Sequence, residues 1–131
     1  MSAGAHQELL GANLGGTVTQ FQVVKITTAV AGKLTVIASA ATTDTCWGVA
    51  QQGGVSGDHV EICVHGETYV HAGGTVAAGS LVNGDAAGLA DNQTAVAIAL
   101  PVLGVMLESA VVTDHAKMWV VGSGTLAANT A

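Results

Sequence analysis

The stretch HVEICVH, residues 59–65, decides the fold class. Val60, Ile62 and Val64 fall on one side of an extended chain, and His59, Glu61, Cys63 and His65 on the other. That two-residue period belongs to a half-buried β-strand; a helix would bring apolar residues together every third or fourth position. The flanks fit the same reading. GGVSGD at 53–58 is a turn sequence, and Gly66-Glu67 is expected to turn the chain into a short strand over 68–71.

Working outward, strands are expected at residues 17–26 (TVTQFQVVKI), 34–38, 47–51, 81–82, 88–90, 94–100, 102–107 and 116–121. Asn83-Gly84 is a strong hairpin dipeptide, and the chain's 18 glycines punctuate nearly every junction. No stretch repeats apolar residues at helical spacing with caps. The expected fold is all-β, a small barrel or two-sheet sandwich over residues 17–122. Residues 1–16 are expected to form an extended N-terminal arm, either a frayed terminus or a segment that orders on a partner with Leu9, Leu10 and Leu14 as anchors, and residues 123–131 a small polar tail.

An internal repeat organises the domain. WGVAQQGGVSGDHVEICVHG (47–66) lies over LGVMLESAVVTDHAKMWVVG (103–122) at a constant offset of 56. Identities fall at Gly48/Gly104, Val49/Val105, Val55/Val111, Asp58/Asp114, His59/His115, Val64/Val120 and Gly66/Gly122. Each unit reads as a strand opening Gly-Val, a turn with Asp-His, and a second strand. Two such units suit a pseudo-symmetric barrel or sandwich, whose closure protects strand edges. Upstream, AGKL (31–34) is expected to match AGSL (78–81) at a different offset.

Composition narrows function. Half the residues are hydrophobic, yet the only aromatics are Phe21, Trp47, Tyr69 and Trp119. A core of such small side chains is thin, so burial against copies or a larger partner is expected to supplement it. With net charge −6, no arginine and only Lys25, Lys33 and Lys117, the chain lacks the cations that nucleic-acid binding draws on. The nearly apolar run 95–107 contains Pro101 and Gly104 and is too short to span a bilayer as a helix. The start, MSAGAHQELLG, lacks the basic and apolar regions of a secretory signal. Cys46 and Cys63 are expected to be free thiols, made in a reducing cytoplasm.

The candidate chemistry fails on spacing. His59, Cys63 and His65 are metal-compatible donors on one strand face, with Glu61 among them and His71 nearby. Alternate residues on a strand stand roughly 7 Å apart, so one strand rarely gives an ion more than two ligands. No metal or other cofactor is therefore expected. Asp58-His59 and Asp114-His115 evoke a triad, but neighbours on a strand point apart and no serine sits in GxSxG; the aspartates are expected to serve turns. Gly32-Lys33 lacks the first glycine and the Ser/Thr of a phosphate loop. Asn92-Gln93-Thr94 matches a glycosylation sequon with no secretory context. An enzyme is not expected.

The order of short motifs over about residues 17–122 resembles the capsid cement, or decoration, proteins of tailed bacteriophages. It is carried by Trp47-Gly-Val-Ala, Gly57-Asp58-x-Val60-x-Ile62, Gly66, Ala78-Gly79-x-Leu81-Val82, Asp85, Gly88, Leu103-Gly104-Val105 and an alternating last strand. The resemblance implies a β-barrel or sandwich that trimerises on the outer surface of the head. There it bridges neighbouring major capsid proteins, with no nucleic-acid or membrane partner. Leu9, Leu10, Leu14 and Phe21 are its expected capsid or subunit contacts. The alternative is another virion part: a head-fibre base, a tail protein or a host-binding module.

Overall fold

The computed structural model describes residues 6–30, 32–93 and 102–121. Their regular structure is β: β1 (Gln7–Leu14), β2 (Val23–Val30), β3 (Lys33–Ala38), β4 (Cys46–Ala50), β5 (His59–His71), β6 (Leu81–Gly84), β7 (Ala90–Asn92), β8 (Gly104–Met106) and β9 (His115–Val120). The strands hydrogen-bond in the order β1-β3-β2-β4-β5-β9-β8-β6-β7. This sheet closes on itself twice. β1 pairs with β3 and also with β5, making a ring of β1-β3-β2-β4-β5. Just past β5, a parallel bridge Ala72↔Ala90 closes β5-β9-β8-β6-β7 in the same way. Two small five-stranded barrels therefore share the long strand β5.

The repeat is real and wider than its sequence signal. Val24↔Gly48 and Leu10↔Ile62 in the N-terminal unit recur as Val82↔Gly104 and Thr68↔Met118 in the C-terminal unit. The bridge Val18↔Gly54 recurs as Val76↔Ala110. Asp58 Oδ2 accepts from Val55 N at 2.9 Å, and Asp114 Oδ2 from Val111 N at 3.1 Å, so the two Asp-His motifs are turn staples. Even Glu61 N to Gln52 Oε1 reappears as Lys117 N to Glu108 Oε1. The AGKL/AGSL match does not survive: Lys33 and Leu34 open β3, whereas Leu81 opens β6, the counterpart of β2.

Each barrel has its own core. In the first, Ala12, Leu14, Val24, Val36, Ala50 and Ile62 converge; the second fills the same places with Val70, Ala72, Val82, Ala90, Met106 and Met118. Sizes trade off between neighbours, as close packing requires. Where Leu14 shrinks to Ala72, Ala12 grows to Val70. A further layer joins the barrels. Val23, Cys46, Val49 and Cys63 alternate with the first core, face outward from it, and are 0% exposed because they join the second. At these four residues the wall β2-β4-β5 is apolar on both faces, and the thin core is thickened within one chain.

Several sequence expectations change. Residues 7–14 are no free arm: β1 pairs with β5 from Gln7↔Gly66 to Asn13↔His59, and Ala12 and Leu14 are buried. Gly66-Glu67 is no turn. β5 runs straight through it, with Gly66 at φ 107 beside His6 and a bulge close by, where β5's Val64 is passed over between Glu8↔His65 and Leu9↔Cys63. Asn83-Gly84 lies inside β6; the turn follows at residues 85–88, where Asp85 Oδ1 accepts from Ala87 N and Leu89 N. The first long strand begins at Val23, because residues 19–22 form a turn closed by Gln22 N to Thr19 O. The strand expected at 94–100, the tail from 123, residues 1–5 and Ala31 lie outside the described residues.

The duplication also exposes backbone strain. Phe21 (φ 66) and Thr113 (φ 73) are left-handed, and their counterparts in the other unit are Gly79 (φ 88) and Gly57 (φ 95). A β-branched residue there costs roughly 1–2 kcal/mol. Thr113→Gly is therefore expected to gain about 0.5–1 kcal/mol after glycine's entropic penalty. Urea unfolding checks this, with a drop in stability counting against it.

Candidate interaction surface

The metal-compatible residues are not brought together. His59 is exposed, with Nδ1 3.1 Å from Asn13 Oδ1. Cys63 is sealed between the barrels, its Sγ donating to His65 O. His65 stands edge-on to Trp119 at 5.6 Å. Desolvation by burial raises the thiol pKa of both free cysteines, Cys46 and Cys63, which holds them in the protonated form that binds metal poorly. Among the described residues no group of three or more His, Cys, Asp or Glu is placed to hold a metal ion.

Two of the expected contact residues face inward. Leu14 is 2% exposed in the first core. Phe21 packs between Tyr69 (5.9 Å) and His115 (5.4 Å), so its ring ties the two units together. Leu9 and Leu10 do reach the surface from β1, at 37% and 49% exposure. Sequence reasoning missed Ile26, Leu34, Val55, Leu81, Leu107, Val111 and Val112, which are also exposed. Val55 and Val111 had a signal: they are a matched pair in the repeat, one on each Asp-stapled turn.

Charge is sparse and partly neutralised. Lys25 pairs with Asp44 at 3.0 Å and Lys117 with Glu67 at 3.5 Å. Burial raises the Asp44 pKa, but the N–H groups of Ala40 and Ala41 and the Lys25 ammonium outweigh it, and the net direction is down. Asp44 also anchors the 40–45 loop to the second barrel, since Asn83 Nδ2 donates to its carbonyl at 2.9 Å. Two clefts of about 340 and 320 Å³ adjoin where β1 and β3 diverge, meeting at Asn13 and Lys33. Their walls combine the apolar Ala12, Leu14 and Leu34 with the polar Asn13, Thr35 and Ser56, joined by Lys33 and His59, a mixture that suits an extended polypeptide.

The geometry defines a class: a duplicated small β-barrel with apolar strand edges and turn tips at its surface. No family profile matches the sequence, and no curated protein matches it. Among solved structures it is similar to the crystal structure of the head fiber gp8.5 N base in bacteriophage phi29. The TM-score is 0.70 at 16% identity, covering 91% of this chain and 98% of that one. This likeness establishes a shared fold.

Proposed function

We propose that the chain is a virion protein of a tailed bacteriophage, a non-enzymatic cement that docks as a homotrimer on the outer surface of the head and bridges major capsid proteins. The observation that carries the virion part of this reading is the likeness in fold to a phage head-fibre base over nearly the whole of both chains. The motif order of capsid cement proteins points the same way. So does an acidic, apolar surface suited to protein contacts and ill-suited to packaged DNA.

Cementing has a physical rationale. Packaged DNA pushes outward on the shell, and a clamp that buries apolar area across subunit joints raises the cost of parting them. An interface of about 1,600 Å² contributes on the order of 10 kcal/mol once entropy and desolvation are counted. Three linked subunits gain further from effective concentration. The solved neighbour favours a second reading, in which the chain is the base of a head fibre.

One experiment separates the two. Purified protein is mixed with expanded and unexpanded heads of its phage, and heads with and without it are heated. A cement binds expanded heads selectively, and its removal lowers the temperature at which they release DNA. A fibre base also binds, but its removal leaves heat resistance unchanged and strips a projection visible by electron microscopy. Absence of binding to either kind of head defeats both readings.

A further inference from the structure

The contact between the two units shows what belongs in the cleft of the first. In the C-terminal unit, the opening between β5 and β7 is filled by residues 21–23 of the N-terminal unit. His71 N donates to Phe21 O at 3.0 Å, Val23 N to Gly88 O at 2.7 Å, and Gln22 Nε2 to Ala87 O at 2.8 Å. By the strand register Asn13 stands in the N-terminal unit where His71 stands in the C-terminal one, and counting back from the matched residues Val36 and Ala90 sets Lys33 and Leu34 of β3 against Ala87 and Gly88 of the shorter turn before β7. Asn13, Lys33 and Leu34 line the cleft between β1 and β3.

The filling piece has a counterpart too. Residues 21–23 correspond to Gly79, Ser80 and Leu81, on the outer wall of the second barrel. Within the chain Val23 is 0% exposed, whereas Leu81 is 46% exposed. Val49 and Cys63, also sealed, correspond to Val105 and Trp119, which are only half-buried. Among the described residues, then, this contact is satisfied once, while the equivalent cleft of the first barrel is unfilled and the equivalent wall of the second is partly exposed.

We propose that a second copy of this chain fills the cleft, the Gly79–Ser80–Leu81 wall of one copy docking between β1 and β3 of the next. Side-chain sizes support this occupant. Inside the chain, a side chain on Gly88 would collide with Gln22, so that pairing is glycine against a long residue. Between chains it becomes Leu34, 37% exposed, against the short Ser80. The large and small partners are exchanged. Docking opens the Asn13↔Thr35 pair, by which β1–β3 is zipped one step further than Ala72↔Ala90, and replaces it with bonds to the incoming segment. Donor and acceptor surfaces differ, so the contact is heterologous and closes as a ring when the rotation allows. The proposed homotrimer is one such ring; the inference rests on that self-assembly and not on the capsid.

Sedimentation of the purified protein alone tests it. Wild type is expected to form a discrete oligomer. Ser80→Gln, which places the long residue against Leu34, is expected to weaken assembly at least about tenfold, as loss of a central interface contact does. Leu34→Gly combined with Ser80→Gln again sets a long residue against a glycine, as Gln22 is set against Gly88, and is expected to restore assembly; recovery also shows that the fold tolerates Ser80→Gln. A wild-type monomer at all concentrations, or an oligomer indifferent to Ser80→Gln, overturns the inference. Head binding by a wild-type monomer would leave the virion reading standing while this contact falls.

Discussion

Gly104→Ala is expected to cost about 3–5 kcal/mol, a large share of the roughly 5–15 kcal/mol that holds a domain of this kind together. At Gly104 a Cβ would press into the Trp119 carbonyl, which is backbone and cannot swing aside, with Met118 Cε 2.7 Å away. The collision falls in the middle of the second barrel, where β8 pairs with β9 through Gly104↔Val120 and Val105↔Trp119. Relieving it means parting two strands whose inward residues Met106 and Met118 are almost completely buried. Gly48 meets the same fate against the carbonyl of Cys63, so Gly48→Ala is expected to match it in the first barrel. Gly57→Ala is the control: nothing lies within 4 Å of its Cβ, and only its φ of 95° is strained, for a loss of about 1 kcal/mol. Urea unfolding of the three variants gives the ranking. A Gly104→Ala protein within about 1 kcal/mol of wild type would show that β8 and β9 sit further apart than described.

These two glycines also show what the sequence made legible. The Gly-Val…Asp-His repeat was visible because close strand approach at Gly48 and Gly104 tolerates no other residue, and because both turns use an aspartate staple. Upstream the repeat was hidden, since barrel interiors fix size and polarity but not identity: Leu14 answers to Ala72, and Ala12 to Val70. The offset also drifts, because the hairpin β6–β7 is shorter than β2–β3. The all-β class and the alternation at 59–65 followed from side-chain period alone. The passage of β5 through Gly66 did not, because a glycine with positive φ serves a bulge as readily as a turn. The arm was misread because Leu9, Leu10 and Leu14 look alike in sequence, while only pairing with β5 decides which of them points inward. The cleft between β1 and β3 was beyond sequence altogether, since it exists only where two parallel strands diverge.

Val23→Asp and Leu81→Asp place the same charge at equivalent positions and are expected to do opposite things. Val23 is 0% exposed, packed where the first barrel's wall meets the second core with Cys46, Val49 and Cys63. Of the three lysines, Lys25 and Lys117 already pair with Asp44 and Glu67, and Lys33 lies across the first barrel beside the β1–β3 cleft. A carboxylate at 23 is therefore buried without a partner, and the loss is expected to reach about 4 kcal/mol or more, with both barrels unfolding because they share β5. Part of that penalty is avoided below the carboxylate's raised pKa, so the deficit should shrink in acid. Leu81 sits at the matching place on β6, beside Val105, but 46% of it meets solvent. An aspartate there keeps its water, and monomer stability is expected to change by no more than about 0.5–1 kcal/mol. What it removes is the apolar contact offered to a neighbouring copy, so assembly should fail while the fold persists. Thermal unfolding and sedimentation of the two variants separate these outcomes. If Leu81→Asp assembles like wild type, the wall of the second barrel is an ordinary solvent face and the equivalence with Val23 ends at the backbone.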